Sequence, residues 1–94
     1  MILRLVKMTF KPEETANFLD YFETIKDDIA SAPGIVSLRI YQDTNNSNVV
    51  FTHSKWLSDS YLDAYRASEI FGKVWPKTKA LFDDKPMAWS LTLK

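Results

Sequence analysis

Cysteine is absent from this 94-residue chain. That excludes disulfides, thiolate metal sites and cysteine nucleophiles. Histidine occurs once, at His53, so a zinc site built from several imidazoles of one chain is excluded too. Carboxylates are plentiful but fall among lysines on helix faces, and no metal is expected. The two glycines, Gly34 and Gly72, form no glycine-rich loop, which removes a Rossmann or P-loop nucleotide site. Neither sign of charge prevails, with 12 basic against 12 acidic residues. Nucleic-acid domains usually carry a basic excess, so no nucleic-acid partner is expected. No apolar run approaches the roughly 18 residues of a membrane helix, and no membrane partner is expected. The opening MILRLVKMTFKPEE lacks a signal-peptide layout, since Arg4 and Lys7 interrupt its short apolar part. A soluble, cytoplasmic protein is the expectation.

What the chain has in quantity is aromatic side chains, 14% of its residues. Such side chains carry large buried area. In one domain spanning 1–94 they must fill a core, line a pocket or cover a subunit interface.

Residues 2–10 read as a strand. Lys11-Pro12-Glu13-Glu14 reads as a helix start, with proline in the first turn and acids that complement the dipole. Phe18, Phe22, Ile25 and Ile29 recur at helical spacing until Pro33-Gly34 stops the helix near Ser31. Residues 35–43 form a second strand, with Val36, Leu38 and Ile40 on one face and Ile35 and Tyr41 on the other. Five polar residues, 44–48, make a hairpin turn into a third strand at 49–56. Ser58 is placed to cap a helix over 59–67. Ser68-Glu69 breaks or recaps it, and the helix resumes to about Leu81, with a kink or a short first turn at Pro76. Residues 87–93 alternate Met87, Trp89, Leu91 and Leu93 against Ala88, Ser90 and Thr92, as a half-buried strand does.

The order βαββαβ predicts an α+β, ferredoxin-like antiparallel sheet with its helices on one face. The other face should then be polar in a monomer. It is not: Leu3, Leu5, Val49, Phe51 and Tyr41 all alternate with the helix-facing set. A second copy packed sheet to sheet would bury it, so a homodimer is expected.

Three segments carry a resemblance: APGIVSLRIYQD, with Pro-Gly entering the second strand; NVVFTHSKWLSDSYLDAY, a strand ending at tryptophan before a helix; and SEIFGKVWPKTKALF. They resemble the antibiotic biosynthesis monooxygenase family. The resemblance implies small ferredoxin-like proteins paired as a dimeric α+β barrel. Some members oxidise quinols or aromatic polyketides with molecular oxygen and no cofactor, and others bind and degrade haem. The strand-three tryptophan of the family, here Trp56, often has a glutamate two residues before it and a histidine nine after. Those slots hold Ser54 and Tyr65. The asparagine, tryptophan and ligating histidine of haem-degrading members fall near Val6, at Tyr65 and at Trp75, and none is kept. No cofactor is therefore expected.

Cofactor-free oxygenation needs a site that binds a flat ring, relays a proton and stabilises an anion away from water. Trp56, Tyr61 and Trp75 are the candidate ring-binding residues, with core packing as the plain alternative for each. His53 and Tyr65 are the candidate catalytic residues. Histidine is the residue type best suited to general acid–base work near neutral pH, yet strand alternation sets His53 on the face opposite Trp56. Tyr65 stands four residues after Tyr61, on the same helix face. Arg66 is a candidate partner for an anionic product. Arg4 and Arg39 lie on strands, either as paired charges inside the barrel or reaching its rim. Trp89 is expected either to fill the core or to reach the same cavity as Trp75, between the second helix and the sheet. Three functions follow: a cofactor-independent monooxygenase of a small quinol or polyketide-like aromatic molecule, a non-catalytic ligand-binding or stress-response barrel, and a haem protein.

Overall fold

Alternating apolar residues lay down the first strand, β1 (Ile2–Thr9), and six further elements follow. They are α1 (Thr15–Ala30), β2 (Ile35–Gln42), β3 (Val49–Trp56), α2 (Asp59–Arg66), α3 (Glu69–Lys79) and β4 (Met87–Thr92). A computed structural model describes residues 1–94. The four strands form one antiparallel sheet in the order β2-β3-β1-β4. This is the expected α+β, ferredoxin-like fold, with the second helix divided in two. No helix is long and apolar enough to cross a membrane.

The helix α1 buries Phe18, Phe22, Ile25 and Ile29 along one stripe, as their spacing requires. It begins at Thr15 rather than at Pro12. The Glu14 amide closes a turn on the Lys11 carbonyl at 2.8 Å, and Thr15 Oγ1 donates to Asn48 Oδ1 at 3.0 Å. A tie to the β2–β3 turn thus fixes the helix start, which local propensity cannot foresee.

The chain turns after α1 at Gly34, whose φ is +81°. That left-handed conformation favours glycine. Space demands it as well, because a Cβ there would stand 2.1 Å from Cγ of Tyr61. In the β2–β3 turn, Asp43 Oδ1 accepts from the amides of Asn45 and Asn46 at 2.7 and 3.1 Å, a side-chain substitute for backbone turn bonds.

Two expectations about strands are corrected. The β2–β3 register shifts between Ile35 and Ser37. This bulge takes Val36 out of the alternation and leaves it 50% exposed, while Ile35 pairs with Trp56 and packs on the core. A bulge adds one residue to one strand, so residues before it change face. In β4 neither face is buried, and Met87, Trp89 and Leu91 are 51%, 38% and 43% exposed, because it is an edge strand paired with β1 alone and no helix packs closely on it.

The helical break falls where Ser68 stands: its Oγ accepts from the Phe71 amide at 3.3 Å and caps α3. Ser58 precedes α2, but its hydroxyl pairs with Ser60 Oγ at 2.8 Å instead of capping an amide. Pro76 lies inside α3. Its missing N–H leaves the Gly72 carbonyl without a helical donor, and the helix still runs on to Lys79.

The core lies between the helices and one sheet face. Met8, Phe10, Phe18, Phe22, Ile25, Ile29, Val50 and Val74 form a single cluster, with Phe10 stacked on Phe18 at 4.4 Å. Across that face the registers set rows such as Leu38–Ser54–Arg4–Ser90 and Ile40–Thr52–Val6–Ala88. Across the opposite face run Arg39–His53–Leu5–Trp89 and Tyr41–Phe51–Lys7–Met87.

Candidate functional site

A cavity of about 270 Å³ opens between the helix-facing rows of the sheet and the three helices, and 14 of its 20 lining residues are hydrophobic. Its most ordered wall is aromatic. The rings of Trp56 and Tyr65 lie 5.2 Å apart, Tyr65 meets Phe71 edge-on at 5.3 Å, and Phe71 stacks on Trp75 at 5.7 Å with planes 18° apart. Helix spacing builds this arc. Phe71 and Trp75 are four residues apart on α3 and so share a face, and Tyr65 comes from the last turn of α2.

Trp56 ends β3 and is 1% exposed. Its Nε1 donates to Ser54 Oγ at 3.0 Å, which satisfies a buried donor that would otherwise cost stability. Residues two apart on a strand share a face, so Ser54 in the slot before Trp56 has a structural partner. Tyr65 is half-buried. Burial pushes its phenol up to about 12, because desolvation disfavours the phenolate. At neutral pH it is a neutral hydrogen-bond donor.

One end of the cavity is cationic. Arg4 enters from β1, and its Nη1 donates to Ser90 Oγ at 2.9 Å. Its guanidinium is held below its ordinary value, first by desolvation, then by Arg66, with Asp63 opposing. Arg66 lines the cavity from the end of α2 and is exposed, which marks the mouth.

The structure therefore brings three of the candidate residues together: Trp56, Tyr65 and Trp75 all line the cavity. Tyr61 does not line it. Its ring covers Gly34 at the entry to β2, and it is 41% exposed. His53 lies on the other face of the sheet, level with Leu5 and Arg39. Tyr41 meets it edge-on at 6.0 Å, and its buried Nδ1 has no hydrogen-bond partner. Trp89 is on that far face as well, so the expectation that it shares a cavity with Trp75 is corrected. Its place opposite Leu5 in the β1–β4 register decides its side.

Sequence reasoning missed Phe71, although its spacing of three from the Ser68 cap and four from Trp75 was a signal. It saw Arg4 only as a strand charge. Nowhere do three or more His, Cys, Asp or Glu side chains gather as metal ligands.

A sequence model of the antibiotic biosynthesis monooxygenase family matches residues 1–75. Among curated proteins no significant match is found. Solved structures are closely similar in fold. One, an antibiotic biosynthesis monooxygenase, has a TM-score of 0.92 at 16% identity, covering 100% of this chain and 99% of the other. A conserved protein from Methanosarcina mazei Go1 also gives 0.92, at 20% identity, over 100% and 94%. A variant of SnoaB, a cofactor-independent oxygenase from Streptomyces nogalater, gives 0.87 at 16% identity, over 99% and 92%. At such identities the likeness is one of fold.

Proposed function

The chain belongs to the antibiotic biosynthesis monooxygenase family, and from that premise we propose that it is a cofactor-independent monooxygenase of a small quinol or polyketide-like aromatic, working as a homodimer. The observation that carries this reading is the run of ring contacts Trp56–Tyr65–Phe71–Trp75 along one wall of a mostly apolar cavity. The arc binds a flat ring. The cavity volume is just below the roughly 300–1,000 Å³ of sites for drug-sized ligands, which favours one or two fused rings over a macrocycle such as haem.

The chemistry asked of the protein is modest. The substrate loses a proton and gives one electron to oxygen. The resulting radical pair joins at carbon as a peroxide anion, which takes up a proton; loss of the hydrogen on that carbon with cleavage of the O–O bond then leaves one oxygen as a new carbonyl and releases the other as water. Tyr65 holds its own proton at neutral pH, so its role is to donate a hydrogen bond to the substrate oxygen as charge develops there. The substrate proton leaves through the mouth beside Arg66. His53, across the sheet, takes no part in this reading.

The homodimer is supported by the far sheet face, where Met87, Trp89 and Leu91 stand exposed in a row of their own strand. Such a surface calls for cover. A second reading, a non-catalytic barrel for a small hydrophobic ligand, is favoured by one observation: Ser54 and Tyr65 stand where the family often has glutamate and histidine, and Ser54 is engaged with Trp56.

Oxygen uptake by metal-free protein with a panel of quinols decides between them. The first reading expects uptake above the no-protein rate, lowered about a hundredfold or more in Tyr65→Phe, the size typical of one lost donor to a developing anion. Uptake equal in both proteins removes Tyr65 from the chemistry. No acceleration for any quinol moves the preference to the binding protein.

A further inference from the structure

We propose that the cavity takes an aromatic anion, a ring bearing a carboxylate, with Arg4 as its counter-ion and Arg66 at the mouth. The inference deepens the reading of this cavity as a substrate site and names the class of molecule it holds. It starts from the company Arg4 keeps. In the sheet row Leu38–Ser54–Arg4–Ser90 its neighbours are a hydroxyl on either side, and no acid stands in the next row, Ile40–Thr52–Val6–Ala88. The chain's one close ion pair joins Lys26 to Glu23, on the surface of α1. A guanidinium has five N–H donors, and the Ser90 contact occupies one of them.

The second cationic group makes the point sharper. Arg66 lines the same cavity. Its repulsion of Arg4 outweighs the attraction of Asp63. Two like charges at one end of an apolar cavity are unfavourable for folding, and an unpaired charge partly out of water costs further. A purely structural residue at position 4 would be apolar, as Val6 and Met8 are on the same face. The arginine fits a role in which its partner arrives from outside. Guanidinium forks match carboxylates, and the pairing strengthens where the surroundings are apolar. The aromatic arc supplies the surface for the ring of the ligand: Phe71 and Trp75, nearly parallel to each other, both line the cavity.

Isothermal titration of the whole protein with 2-naphthoate and with its neutral isostere 2-naphthamide tests this without any turnover. The proposal expects the acid to bind at least about tenfold tighter than the amide, the scale of one charge-assisted pair. In Arg4→Gln the preference falls to below about threefold, and Arg4→Lys keeps part of it. Arg66→Gln, at an exposed position, gives a smaller loss and serves should the Arg4 variants fail to fold. Equal binding of acid and amide by the unaltered chain overturns the proposal. So does binding of neither, or a full preference retained in Arg4→Gln. A chain that prefers the acid yet accelerates oxygen uptake with no quinol, neutral or carboxylated, sustains this inference and moves the preference to the binding protein. A chain that oxidises neutral quinols with no acid preference does the reverse.

Discussion

The two faces of the sheet are built from similar side chains and end in different states. On the helix side Trp56 is 1% exposed, held between β3 and α2 with its indole N–H satisfied by Ser54. On the far side Trp89 is 38% exposed, next to Leu5 in the same ladder. Strand alternation alone made both positions apolar. The difference comes from the second layer: the helices pack on one face and none packs on the other. A two-layer domain needs only one apolar face. The second is the face that the proposed homodimer buries, and it also carries the one histidine with its unpaired Nδ1.

The contrast is broken most forcefully from the buried side. Trp56→Ala should destabilise the protein by about 3–5 kcal/mol, the usual cost of removing a large core aromatic. Denaturant unfolding measures it, and a loss under about 1 kcal/mol would mean that Trp56 is not core. On the far face, Trp89→Ser should leave the far-UV circular dichroism of the chain unchanged and weaken self-association at least about tenfold, as removal of an interface aromatic does. Sedimentation over a range of concentrations reads this. An unaltered chain that sediments as a monomer at micromolar concentration would sink the homodimer itself.

The smallest effect concerns Tyr65, at the border of core and cavity. Its folded phenol titrates at about 12, above the ordinary value near 10. The raised group keeps its proton in the folded chain while the unfolded chain has already lost it. Its contribution is therefore whole below about pH 10 and is lost as pH rises through about 12. Because the ring is only half-buried, the loss should be on the order of 1 kcal/mol rather than the full linkage value. Urea unfolding near pH 9 and near pH 11 should show a steeper alkaline fall in the unaltered chain than in Tyr65→Phe. Equal falls would mean that the phenol is not desolvated.

Much of this fold was legible because periodicity is a local property. The stripe of Phe18, Phe22, Ile25 and Ile29, the polar turn at 44–48 and the cap at Ser68 each announce themselves within a few residues. What escaped depends on distant chain. The face of Ile35 turns on a bulge set by its pairing with β3, and the start of α1 on a bond from Thr15 to Asn48. The side that Trp89 occupies follows from β1–β4 register. The site was half legible for the same reason. Trp56, Tyr65 and Trp75 carry their chemistry in their residue type. Arg4 becomes meaningful only when the sheet row shows serines where a carboxylate would pair it, and Tyr61 is spent on a glycine corner that only three dimensions bring to it.

The strand order has a consequence for how the chain finds this shape. Only β2 and β3 can pair by zipping outward from their own turn. The central strand β1 must wait for β3, and its other ladder sets Ile2 opposite Thr92, nearly the whole chain apart. Closing so long a loop spends entropy before any contact rewards it. The edge strand β4 is thus expected to join the sheet last, and the exposed aromatic row on its far side to form with it.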